Sequence, residues 1–161
     1  MTLEEEVVSL LDRKGLTLTA AESCTGGLIA KRLTDVSGAS AVFHGSLVTY
    51  SNRLKEKWLG MQAETLQKYG AVSAQTAREM ALGARKAADA DLAVAVTGIA
   101  GPNSDDTNKP VGLVFIALAS KDGVTVEKYE NQFVDNVREQ NRITSAQHAL
   151  EAVRRYLLHE Q

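Results

Sequence analysis

The sequence predicts a three-layer α/β/α sandwich with a mixed, mostly parallel sheet. Three observations lead there. Helical stripes alternate with short extended runs from the start of the chain, residues 92–96 are apolar without a break, and residues 112–133 hold two extended runs separated by a turn. An unbroken apolar strand has both faces covered, which places it at the centre of a sheet.

The elements follow in order. Leu3, Val7, Val8, Leu10 and Leu11 form one helical stripe, and Gly15 offers a C-terminal stop. Residues 16–21 alternate apolar with small or polar side chains, as a strand does. The turn Cys24-Thr25-Gly26-Gly27 leads into a short helix from Leu28 that ends near Ser37-Gly38. Residues 46–50 read as a second strand, after which Ser51 or Asn52 caps a helix through Leu54, Lys55 and Trp58. A short helix over residues 63–69 closes at Gly70, and Ser73 caps a longer helix over residues 74–88, with Thr76 where a capping box would have Glu or Gln. The loop over residues 97–110 holds both prolines; the runs 112–119 and 124–133 form a hairpin turning at Lys121-Asp122-Gly123. A last helix runs from about Asn136 to Leu158. With no repeat, linker or low-complexity tract, residues 1–161 are expected to form one domain.

Composition narrows the function. Aromatic residues make up only 5% of the chain, so the core must come from Ala, Val, Leu and Ile. A net charge of −2, with no basic stripe, argues against nucleic acid as a partner. Cys24 is the only cysteine, which excludes an internal disulfide and a multi-thiolate zinc site. His44, His148 and His159 have no ligand spacing, so neither a metal nor a cofactor is expected. The acidic start of the chain and the lack of an apolar run of ~20 residues lead us to expect a cytoplasmic protein with no membrane association.

Three segments carry chemistry. Glu22-Ser23-Cys24-Thr25-Gly26-Gly27 joins a strand to a helix, where glycines and free N–H groups favour an anion. Read alone, it offers Ser23 and Cys24 as nucleophiles in an anion-holding turn; the plainer reading is a tight turn with a buried thiol. In Thr49-Tyr50-Ser51-Asn52-Arg53-Leu54-Lys55, a desolvated lysine can serve as general base toward a serine hydroxyl, against the alternative of a helix cap and a solvated lysine. Thr97-Gly98-Ile99-Ala100-Gly101-Pro102 leaves the central strand, where open α/β sheets bind ligands, or else is an ordinary crossover. Arg138 and Arg142 share a helix face that suits a phosphate clamp or simply solvent.

Taken jointly, the 21–27 block, Thr49-Tyr50-Ser51-Asn52, Gly70-Ala71-Val72-Ser73, the 97–102 block and Lys109-Pro110-Val111-Gly112 closely resemble the CinA C-terminal domain family. The chain resembles a stand-alone form of that domain. The resemblance implies a metal-free nicotinamide-nucleotide amidase, which converts nicotinamide mononucleotide to nicotinate mononucleotide and ammonia. By position it implies Ser40 as nucleophile, Lys55 as base and Tyr50 as an assisting residue. Glu22, Ser23, Thr25, Gly26, Gly27, Thr97, Gly98, Arg138 and Arg142 then contact the substrate. Asp105 and Asp106 stand where the family commonly has a Gly-Gly pair. They keep open a second reading, a nucleotide-binding or regulatory module without efficient turnover. A pure protein-interaction domain is a third. Trp58 and Leu59 are the apolar residues expected to serve a subunit contact, should the chain form a homo-oligomer.

Overall fold

The computed structural model describes residues 1–159. Helix α1 (Leu3–Lys14) opens the chain with a complete capping box between Thr2 and Glu5 and ends on Gly15 in the left-handed conformation. Strand β1 (Leu18–Glu22) leads through a turn into α2 (Leu28–Thr34). A single 3-10 turn (Ala39–Ala41) precedes β2 (Phe43–Val48). Helices α3 (Asn52–Leu59), α4 (Ala63–Tyr69) and α5 (Ala74–Ala88) follow in succession. Strands β3 (Leu92–Gly98), β4 (Leu113–Ser120) and β5 (Gly123–Glu130) then precede the long α6 (Val137–His159).

The strands lie in the order β2-β1-β3-β4-β5. Strand β1 pairs in parallel with both β2 and β3, whereas β4 is antiparallel to β3 and to β5, so β4 alone runs against the rest. The unbroken apolar strand is β3 at the centre, as its composition requires. Helices α1, α2 and α6 cover one face and α5, backed by α3 and α4, covers the other. This is the predicted three-layer sandwich.

The two faces differ in bulk. Leu18, Leu92, Val94, Val96, Val114, Ile116 and Leu118 point toward α1, α2 and α6. Toward α5 the strands present mainly Ala21, Ala93, Ala95, Ala117 and Ala119, met by Ala77, Ala81 and Ala84 of the helix. Alanine against alanine lets α5 lie close to the sheet, and Met80 fills the remaining space. Each fully buried Leu or Val contributes about 1.5–3 kcal/mol, so the bulky face carries most of the hydrophobic stabilisation. Close approach continues outward, because a Cβ at Gly83 of α5 would lie 1.9 Å from the carbonyl oxygen of Leu59. Leu59 is therefore buried between α3 and α5 rather than free for a subunit contact, while Trp58 stays 47% exposed.

The end strands depart from the sequence expectation. Strand β2 starts and stops earlier than the predicted 46–50 because it lies at a sheet edge, where Phe43 is buried and the positions after it are open to varying degrees. Strand β5 likewise stops before Phe133. Strand β1 runs on to Glu22, whose side chain is fully buried.

Candidate active site

The chain leaves β1 for β2 on one side and later returns to form β3 on the other. The sheet order therefore reverses at β1, and a crevice opens beyond the carboxyl ends of these strands. Ser23 is the first residue past β1, Thr49 the first past β2, and Thr97 and Gly98 end β3. A cavity of about 260 Å³ lies there, bordered by Ser23, Tyr50, Lys55, Val72, Thr97 and Arg138 among others.

Lys55 owes its position to the start of α3. The Ser51 hydroxyl accepts from Leu54 N–H at 3.2 Å, which sets the first turn, and Lys55 and Leu59, four apart, form the buried face of the helix. The Lys55 side chain is only 1% exposed. Its Nζ donates to the Thr49 carbonyl at 2.7 Å and to Ser23 Oγ at 3.0 Å. Among the described residues no carboxylate pairs with it, and burial pushes the ammonium down to about 8. Lys55 thus becomes a neutral amine at mildly alkaline pH, in contact with a half-buried serine hydroxyl.

The rest of the 22–27 loop builds the turn. The Glu22 carboxylate accepts from the Thr25 hydroxyl at 2.7 Å, from Ile29 N–H at 2.9 Å and from Ala30 N–H at 3.1 Å. It is therefore itself the anion at the start of α2, where Gly27 at the N-cap supplies no side chain. Glu22 and Thr25, expected to contact substrate, are both fully buried and paired with each other. Gly26 and Gly27 have φ of +59° and +104°, and neither borders the cavity. Arg142 fastens the same turn, with Nε to the Cys24 carbonyl at 3.1 Å and Nη2 to the Thr25 carbonyl at 3.2 Å. Cys24 borders the cavity, but burial pushes its thiol up to about 12, which leaves it protonated and a poor nucleophile.

Ser40 is not brought to Lys55. It lies exposed on the 3-10 turn before β2, beside Thr34, Gly38 and Phe43, whereas Lys55 follows the far end of that strand. Six residues of strand rise about 20 Å, so Ser40 and Lys55 lie beyond opposite ends of β2. The serine in contact with Lys55 is Ser23. Tyr50 borders the cavity but is 60% exposed, and its hydroxyl accepts from Arg138 Nη2 at 2.7 Å rather than meeting the serine–lysine pair. Arg138 Nη1 also donates to the Gly101 carbonyl at 2.8 Å. Only Arg138 of the expected arginine pair borders this cavity; both arginines border a neighbouring one of about 640 Å³ with Pro102 and Asn136.

Several motif residues support the wall. Thr97 Oγ1 donates to the Ala71 carbonyl at 2.6 Å, and Lys109 Nζ donates to the carbonyls of Tyr69 at 2.6 Å and Val72 at 2.5 Å. These bonds bind the loop after β3 to the α4–α5 junction. Asn141, 2% exposed, donates to the Ala100 carbonyl at 2.8 Å from behind. Among the described residues no group of three or more His, Cys, Asp or Glu side chains is placed to hold a metal ion, and no helix is long and apolar enough to cross a membrane.

Fold and site together define an α/β sandwich that carries a buried lysine in contact with a half-buried serine where its sheet order reverses. The sequence matches the CinA C-terminal domain family over residues 1–157, and the chain belongs to that family. It is 52% identical over 157 residues to a CinA-like protein of Geobacter sulfurreducens and 50% identical over 157 residues to one of Geotalea daltonii. Each match covers 98% of this chain and 37% of the relative, so the chain spans little more than a third of these curated proteins. Solved structures agree. The competence/damage inducible protein CihA from Agrobacterium tumefaciens superimposes with a TM-score of 0.88 at 43% identity, covering 94% of this chain and 91% of that one. The competence damage-inducible protein A from Klebsiella pneumoniae gives 0.93 at 34% identity, covering 99% and 97%.

Proposed function

We propose that this chain is a serine–lysine amidohydrolase that converts nicotinamide mononucleotide to nicotinate mononucleotide and ammonia, with Ser23 as nucleophile and Lys55 as general base. The observation that carries the reading is the 3.0 Å contact between Ser23 Oγ and the buried, charge-disfavoured Nζ of Lys55. Neutral Lys55 accepts the Ser23 proton as Oγ attacks the carboxamide carbon. We assign the oxyanion to the backbone N–H of Cys24, the residue of the following turn that borders the cavity. The proton then passes from Nζ to the amide nitrogen, the C–N bond breaks, and ammonia leaves an ester on Ser23. Water, deprotonated by Lys55, attacks that ester and releases the carboxylate.

The cavity suits the substrate at both ends. Val72, Ile99 and Ala100 supply an apolar wall for a flat ring, and Arg138 at the mouth is a cation for the phosphate, exchanging its bond to Tyr50. The purified chain is expected to release ammonia from nicotinamide mononucleotide, unaffected by a metal chelator. Binding of the mononucleotide without ammonia above the blank would instead favour a nucleotide-binding module.

A further inference from the structure

Resting on that reading of the site, we propose that Asp105 selects for a substrate whose ring is cationic. Of the described side chains bordering the cavity, Asp105 is the sole carboxylate, set among Asn103, Ser104 and Arg138. Its orientation is fixed locally: the Thr107 backbone N–H donates to Oδ1 at 3.1 Å, and the Thr107 hydroxyl donates to the same oxygen. The cavity therefore presents a negative group on the loop after β3 and a positive one, Arg138, on α6. A ligand matched to both carries separate positive and negative charges. A pyridinium nucleotide does so, with its charge in the ring and its phosphate beyond the ribose. The reduced, dihydropyridine form of the same nucleotide keeps the shape and phosphate but has an uncharged ring, and gains nothing from Asp105.

Calorimetric titration at low ionic strength separates the possibilities. The Ser23→Ala chain, in which turnover is blocked, is titrated with oxidised and with dihydro nicotinamide mononucleotide, alone and with Asp105→Asn added. Asparagine keeps an oxygen acceptor for Thr107 while removing the charge. The oxidised form is expected to bind about fivefold tighter than the dihydro form, as for an exposed ion pair at its upper range. Asp105→Asn is expected to remove that difference by weakening the oxidised form alone. A preference that survives Asp105→Asn, or an oxidised form that binds tighter without the carboxylate, overturns the proposal and leaves the serine–lysine site standing. If neither form binds the Ser23→Ala chain, the substrate reading fails, and the role of Asp105 fails with it.

Discussion

Glu22 pairs with Val48 across the parallel β1–β2 ladder, so the residue after each strand, Ser23 and Thr49, emerge side by side. Lys55 reaches both, donating to the Thr49 carbonyl and to Ser23 Oγ. The catalytic pair proposed for this chain is thus a product of strand register. Nothing in the local sequence around either residue joins them.

Lys55 sets the pH dependence. Its pKa is lowered by burial to about 8, so the base is protonated below that value and neutral above it. We predict that kcat/KM for ammonia release rises with pH and levels off above about 8. The same depression means the unfolded chain binds more protons than the native one between about 8 and the ordinary lysine value of ~10.4, so stability contributed by this group rises with pH across that window. Lys55→Met should abolish turnover while leaving the chain as stable as before, or more stable by about 1 kcal/mol, at neutral pH in urea denaturation. A flat pH–rate profile between pH 6 and 9 would remove Lys55 from the role of base.

Glu22 is a structural carboxylate. Glu22→Ala removes the acceptor for three donors, two of them N–H groups at the start of α2, inside a fully buried position. The expected cost is about 2–4 kcal/mol, read from the urea midpoint. Glu22→Gln keeps one acceptor oxygen and should cost less. Were Glu22 a substrate contact, Glu22→Gln would instead raise KM with the midpoint unchanged.

Gly83 links packing to the site. A methyl group there would meet the Leu59 carbonyl oxygen at 1.9 Å and force α3 away from α5. Gly83→Ala is expected to cost about 1–3 kcal/mol. Because α3 also carries Lys55, ammonia release should fall at least tenfold in chains that remain folded, although Gly83 touches no part of the cavity. Full activity in a folded Gly83→Ala chain would show that α3 can shift without disturbing the Lys55–Ser23 contact.

Much of the fold was legible because it follows from periodicity. The stripe of α1, the unbroken apolar β3 and the hairpin of β4 and β5 each bury a face that the sequence displays. The edge strand β2 was less so, since Phe43-His44-Gly45 lacks alternation and half its surface faces solvent. In the site, the crevice and Lys55 are visible in the sequence, but the contact between Lys55 and Ser23 is not. Ser40 is closer to Lys55 in sequence than Ser23 is, yet β2 runs between them and holds them beyond its opposite ends. The pointer to Ser23 was available in its place, first after a strand at the point where the sheet order reverses, but that order requires the strand pairing. Glu22 is a related case: the sequence predicts an anion at the start of α2, and the chain supplies its own carboxylate there.

Comparison of Ser23→Ala with Ser40→Ala in the ammonia-release assay with nicotinamide mononucleotide tests the central claim most directly. Ser23→Ala should lower kcat at least a thousandfold, because the attacking oxygen is gone, while Ser40→Ala, on an exposed turn at the other end of β2, should stay within twofold of the unaltered chain. Retained turnover in Ser23→Ala together with its loss in Ser40→Ala would contradict the account.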